Sequence, residues 1–185
     1  MPGRNWFAAL AATLLLSGCG GGAKSGAPAA CVAPEGAATD VRSSSNTENL
    51  TFLTDVRVDS QTCLDRLVFA FRPDTPDPPA FRVSYQPAST ALVQDGSGEP
   101  IEVAGSAYLV VRLEPAATAE AAGDGLDFTY TGPRRLAPTG TRFVRNVVKS
   151  GDFEAVLTWV VGLSEQRPFN VSARTSPPRV VVDVG

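Results

Sequence analysis

Histidine is absent from this 185-residue chain, and methionine occurs once, at the start. That removes Ser-His-Asp and Cys-His nucleophiles, histidine zinc ligands and imidazole pH switches from the available chemistry. Carboxylates, arginines and three cysteines remain. Asp152 and Glu154 stand at i and i+2, so on a strand they share one face. A glycan hydrolase using carboxylates alone needs two acids about 5–10 Å apart in a cleft. This pair is the one candidate for such chemistry, and acids so spaced are common by chance. "QDGSGEP", residues 94–100, offers two acids and two glycines but lacks the ligand count of a calcium loop, so it reads as a hairpin turn. The expectation is a protein without catalytic residues, metal or cofactor.

Charge is the next feature with chemical content. No acid lies between Asp127 and Asp152, an interval holding Arg134, Arg135, Arg142, Arg145 and Lys149. The stretch just before it carries Glu114, Glu120, Asp124 and Asp127 without a base. Such blocks are commonly solvated faces that balance each other. The functional reading of the basic block is a surface for envelope polyanions or phospholipid head groups, because arginine grips phosphate and carboxylate well. The formal net charge of −3 argues against general nucleic-acid binding. Asp65 and Arg66 sit inside an apolar run and demand partners, with Glu154, Arg179 or Asp183 available. Trp159 could stack on a sugar, but its setting in "VLTWVVGL" favours core packing.

The cysteines depend on the N-terminus. Trp6 to Leu16 is an apolar run of eleven residues, too short for a membrane-spanning helix, which needs about 20. One positive residue, Arg4, precedes it and small residues follow, as in a secretory signal. "Leu-Ser-Gly-Cys", ending at Cys19, resembles the lipobox of bacterial lipoproteins. That resemblance implies removal of residues 1–18, a helical signal peptide, and acylation of Cys19. The mature chain then carries a formal charge of about −4, since Arg4 is the only charge removed. Cys31 and Cys63 are left as an even pair outside the cytoplasm. A disulfide between them would close roughly 33 residues and contribute about 3.5–4 kcal/mol in the chain-entropy description. Free thiols or a redox site are the alternatives.

The positioning elements are strands. Gly20 to Ala30, "GGGAKSGAPAA", reads as a flexible tether reaching roughly 17–20 Å, and residues 19–49 as linker, irregular from Cys31 to Asn49. From Leu50 to the C-terminus, "LTDVRVDS", "CLDRLVFAF", "AFRVSY", "YLVVRL", "RFVRNVVKS", "FEAVLTWVVGL", "FNVSART" and "RVVVDV" are short, rich in valine and aromatics, and separated by proline and glycine. "PAATAEAAGDG", residues 115–125, has helical composition but two glycines, and reads as a loop with one helical turn at most. Eight or nine strands without an amphipathic helix predict an all-β, antiparallel sandwich or barrel over residues 50–185. Its inward residues are predicted as Phe69, Phe71, Phe81, Leu109, Val111, Leu113, Val147, Leu157, Trp159, Val161, Phe169, Val171, Val180 and Val182.

"CLDRLVFAF", "GDFEAVLTWVVGL" and the terminal "SPPRVVVDV", in this order, resemble the AMIN-like domain of actinobacterial secreted proteins and lipoproteins. "QDGSGEPIEVAGSAYLVVRLEPA" and "YTGPRR" are similar to its middle section. The resemblance covers about Leu50 to Val184. It implies a β-sandwich that targets partners to the cell envelope, with no catalytic residues of its own and no binding residue to carry over. The expectation is therefore a non-catalytic lipoprotein, anchored on the extracytoplasmic face of the cell membrane, that binds a wall polymer such as peptidoglycan or an envelope protein. A carrier for a small apolar ligand is the alternative, and it requires an internal cavity.

Overall fold

The computed structural model describes Gly3 and residues 31–44, 49–75 and 77–185. Apart from Gly3, the expected signal peptide, Cys19 and the tether to Ala30 lie outside the described residues. Cys31–Gly185 forms one compact unit. Among the described residues, thirteen strands run in order: β1 (Arg42–Ser43), β2 (Thr51–Ser60), β3 (Asp65–Phe71), β4 (Ala80–Gln86), β5 (Ala107–Glu114), β6 (Ala116–Ala117), β7 (Ala119–Ala122), β8 (Gly125–Phe128), β9 (Arg135–Leu136), β10 (Val144–Phe153), β11 (Val156–Leu163), β12 (Phe169–Thr175) and β13 (Pro178–Val184). The eight strands of seven residues or more fall on the eight segments predicted from sequence.

Two sheets pack face to face. One has the order β1-β4-β5-β11-β10-β9 and the other β12-β13-β3-β2-β6. Pairing is antiparallel except between β2 and β6. Alternation along each strand sends one apolar set inward. In β3, Leu67, Phe69 and Phe71 are buried, and in β13 Val180, Val182 and Val184. The sheets meet through aromatic contacts: Phe69 lies 6.0 Å from Trp159, and Tyr85 makes an edge contact with Phe169 at 5.7 Å. Trp159 is fully buried, so it belongs to the core. Of the fourteen predicted inward residues, only Phe81 and Val171 are partly exposed.

Strand β11 is buried on both faces. A second cluster, Val103, Val148 and Val160 with Leu92 and Ile101 against it, covers the outer side of the six-stranded sheet. This explains the near-continuous apolar run of β11. The covering chain comes so close that a Cβ on Gly162 would lie 2.0 Å from the Ala104 carbonyl oxygen.

Three local features differ from the sequence expectation. Residues 119–128 form the hairpin β7–β8, with Ala122 paired to Gly125 and a left-handed Gly123 in the turn. Alanine favours helix, but Gly123 and Gly125 break it here, and a glycine opening a two-residue loop suits a hairpin. "FEAVLTWVVGL" is not one strand: Phe153 ends β10 and Glu154–Ala155 turn the chain into β11. Both turn residues have positive φ, 50° and 60°, without being glycine or asparagine, so composition gives no warning of the turn. The 31–49 segment is not wholly irregular, since Ala38 bridges Phe169 and β1 pairs with β4.

Polar contacts join the parts. Cys31 and Cys63 form a disulfide, with Cα atoms 5.1 Å apart, which fastens the start of this segment to the chain just before β3. Arg66 binds Asp183 through two hydrogen bonds of 2.7 and 2.8 Å, which raises the guanidinium's affinity for its proton. Asp65 has no ion-pair partner among the described residues, contrary to the expectation that both neighbours enter charge pairs. It is fully buried, and its carboxylate accepts the backbone N–H groups of Arg142, Phe143 and Val144 at 3.0, 2.6 and 2.9 Å. The five-stranded sheet thereby holds the entry to β10 in the other sheet. Leaving buried amides without an acceptor costs about 1–3 kcal/mol. Asp65→Asn, which keeps the size but removes one acceptor oxygen, is expected to lower unfolding stability by about 2–3 kcal/mol. Urea denaturation checks this, and a loss under about 1 kcal/mol contradicts it.

Candidate functional site

Strand β10 carries both a bulge and the most polar side chains near the β7–β8 hairpin. Its register with β11 slips between Lys149 and Gly151, leaving Ser150 as the extra residue. Bulges bend a strand and redirect its side chains. The 94–99 turn docks on this bulge: Gln94 N–H bonds Glu99 O within the turn, and Asp95 N–H donates to Ser150 O at 2.8 Å. The turn is thus the hairpin its composition predicts, with positive φ at Gly96 and Gly98. Gly151 lets Asp95 pack against the bulge: a Cβ there would fall 2.0 Å from an Asp95 carboxylate oxygen and would displace that side chain.

Turn, bulge and hairpin enclose a cleft of about 480 Å³ lined by Asp95, Thr118, Phe128, Tyr130, Lys149 and Asp152, among others. Lys149 Nζ donates to Asp152 at 3.0 Å and to Thr118 Oγ1 at 3.2 Å, while Thr118 Oγ1 donates to the same Asp152 oxygen. Only 13% of the Lys149 side chain is exposed. An ammonium has three donors, and these contacts engage two of them. Tyr130 backs the cleft. Its hydroxyl donates to Pro133 O at 2.8 Å, and its ring meets Trp159 edge-on at 5.8 Å. At the rim, Phe128 and Phe153 are exposed, at 61% and 62%. An adjoining cleft of about 380 Å³ shares them and reaches Leu126 and the strained Glu154–Ala155 turn.

The arrangement can bind through hydrogen bonds from its floor and through apolar ring faces at its rim. The sequence-predicted residues distribute unevenly around it. Asp152 lies on the floor, held by Lys149 and Thr118, while Glu154 sits in the turn and lines only the adjoining cleft. Arg134 and Lys149 line the main cleft; Arg135 lines a different one and donates to Asn146 Oδ1 at 2.6 Å. Arg142 and Arg145 are exposed and line neither. Thr118, Phe128 and Phe153 have no signal in the sequence. Phe128 and Phe153 look like core aromatics until the hairpin and the turn place them outside. Among the described residues, no group of three or more His, Cys, Asp or Glu is placed to hold a metal ion.

The fold is a β-sandwich with a polar cleft beside the β7–β8 hairpin. Comparison with known families makes this specific: the AMIN-like domain model matches residues 51–185, and the chain belongs to that family. The family consists of cell-envelope-related binding domains, which places the protein outside the cytoplasm. Comparison with curated proteins and with solved structures gives no match.

Burial also sets a pH dependence. It pushes the Tyr130 phenol above the ordinary 10.0, and the charge of Asp55 adds to the shift. Burial raises Tyr85 as well, against the opposing effect of Arg167. The folded chain therefore keeps these protons at a pH where the unfolded chain loses them. The stability so gained is complete below about pH 10 and is lost as pH rises through the folded values. The thermal midpoint is expected to fall above pH 10, and less steeply in Tyr130→Phe and Tyr85→Phe. An equally steep fall in both variants contradicts the assignment.

Proposed function

We propose that this protein is a non-catalytic cell-envelope lipoprotein whose AMIN-like domain binds a wall component, peptidoglycan or another wall polymer, at the cleft beside the β7–β8 hairpin. In this reading residues 1–18 are a signal peptide, Cys19 carries the lipid, residues 19–49 form the linker, and residues 50–185 form the binding domain. The protein then works at the extracytoplasmic face of the cell membrane. The observation that carries the reading is the pair of exposed aromatics, Phe128 and Phe153, over a polar floor in a chain of this family. Flat apolar rings suit the C–H faces of sugars, and Lys149, Thr118 and Asp152 suit hydroxyl and amide groups. The exposed Arg134, Arg135, Arg142 and Arg145, together with Lys149 on the floor, supply positive charge toward anionic wall polymers.

A hydrolase using Asp152 and Glu154 is disfavoured by the engagement of Asp152 with Lys149 and Thr118, and by the position of Glu154 in the turn. An internal carrier is disfavoured by the filling of the space between the sheets with Trp159, Phe69, Phe169 and their neighbours. An envelope protein is the remaining alternative partner.

Two experiments test the reading. Metabolic labelling with a palmitate analogue is expected to mark the protein and to be lost in Cys19→Ala; unchanged labelling removes the lipid anchor. The Cys19→Ala chain is expected to sediment with purified sacculi at low salt. Adding Phe128→Ala and Phe153→Ala should weaken this roughly tenfold, from about 0.5–1.5 kcal/mol per aromatic contact. If the chain stays in the supernatant, direct wall binding fails and crosslinking in cells should find a protein partner.

A further inference from the structure

The outer face of the five-stranded sheet holds a second polar concavity, built from different residues. Its side chains form a regular lattice. Cross-strand pairing sets Arg174 opposite Arg179, Ser172 opposite Val181, and Asp183 opposite Arg66. On the far side, Arg57 faces Val68 and Asp59 faces Arg66. The hollow over this lattice is about 480 Å³ and is lined by Arg57, Arg66, Arg174 and Arg179 with a single acid, Asp59.

The four guanidiniums are not equivalent. Arg57 lies between Asp55 and Asp59, at 3.1 and 3.4 Å, and Arg66 is bound by Asp183. Among the described residues, Arg174 and Arg179 have no salt bridge. Like charges directly opposite on adjacent strands are destabilising, yet here two arginines face each other beside neutral Ser172, Ala70 and Val181. The Nε of Arg179 is buried and has no hydrogen-bond partner. The repulsion between two facing guanidiniums is a cost that an anion between the two forks would offset.

We propose that Arg174 and Arg179 form an anion site for a phosphoryl group, with Arg66 and Arg57 supplying supporting charge. Two unpaired cations match the charge of about −1.5 to −2 of a phosphate monoester at neutral pH better than the single charge of a carboxylate. The planar forks suit bidentate contact with phosphoryl oxygens. The hollow has room for more than the phosphoryl group, so its source is either a soluble phosphate compound or a lipid head group. The site lies on a different sheet from the cleft beside β10 and does not depend on the wall-binding reading.

The experiment titrates the full chain with inorganic phosphate at pH 7.5 and low salt, by calorimetry and by the phosphate-dependent rise in thermal midpoint. Saturable binding is expected. It should weaken by roughly tenfold or more in Arg174→Gln/Arg179→Gln, as for loss of hydrogen bonds to a charged group, and remain in Arg145→Gln. Arg174→Gln alone, at an exposed position, is the second variant should the double one fold poorly, and it should also lose affinity. Vesicles of phosphatidic acid in phosphatidylcholine separate the sources. Co-sedimentation that the same variants abolish assigns a lipid head group, and phosphate binding without it assigns a soluble compound. Absence of saturable phosphate binding, or equal affinity in the folded variants, overturns the site.

Discussion

One buried carboxylate holds the two sheets in their working relation. Asp65 enters at the start of β3, in a sheet whose interior is mostly valine, leucine and phenylalanine. Its oxygens are occupied by three consecutive backbone amides at the entry to β10 of the opposite sheet. A charge in that place is tolerable only when it is fully hydrogen-bonded. The strand it fixes is also the one with the most chemistry on it. From Val144 the chain runs to Lys149, through the Ser150 bulge to Asp152 and Phe153, then reverses at Glu154–Ala155. The clamp fixes one end of β10, the strained turn fixes the other, and the cleft lies along the span near the turn.

The strands were legible because their pattern is redundant. Most of the long strands repeat an apolar residue at every second position, as β3, β4, β5 and β13 do, and a pattern of that kind survives an error at any one position. The core followed from the same alternation, with Phe81 and Val171 the only two predicted residues left partly exposed. The site was much less legible. Phe128 and Phe153 are ordinary strand residues in sequence; their exposure arises from a hairpin that alanine composition disguises and from a turn built without glycine. Asp65 was identifiable as anomalous, but its partners are backbone groups 77–79 residues away, which side-chain inventory does not reveal. The basic run from Arg134 to Lys149 was read as one block. The fold divides it, because Arg134 and Arg135 line different clefts and Lys149 bonds to Asp152.

The molecule separates its chemistry by sheet. The edge of the six-stranded sheet beside the hairpin combines aromatic rims with a compact Lys-Thr-Asp floor. The outer face of the five-stranded sheet concentrates arginine without aromatics. Both surfaces belong to a chain that is acidic as a whole, so the local fields come from strand register and not from net charge. In a family of envelope binding domains, such a division would let one module meet a neutral and an anionic group at once.

In the proposed function the cleft on β10 is the surface that receives the wall component. Solution NMR of the isotopically labelled chain with soluble peptidoglycan fragments measures this residue by residue. Saturable shifts are expected at Thr118, Phe128 and residues 149–155, with little change on β12 and β13. Shifts confined to other surfaces, or none at concentrations that saturate binding to whole sacculi, would contradict it.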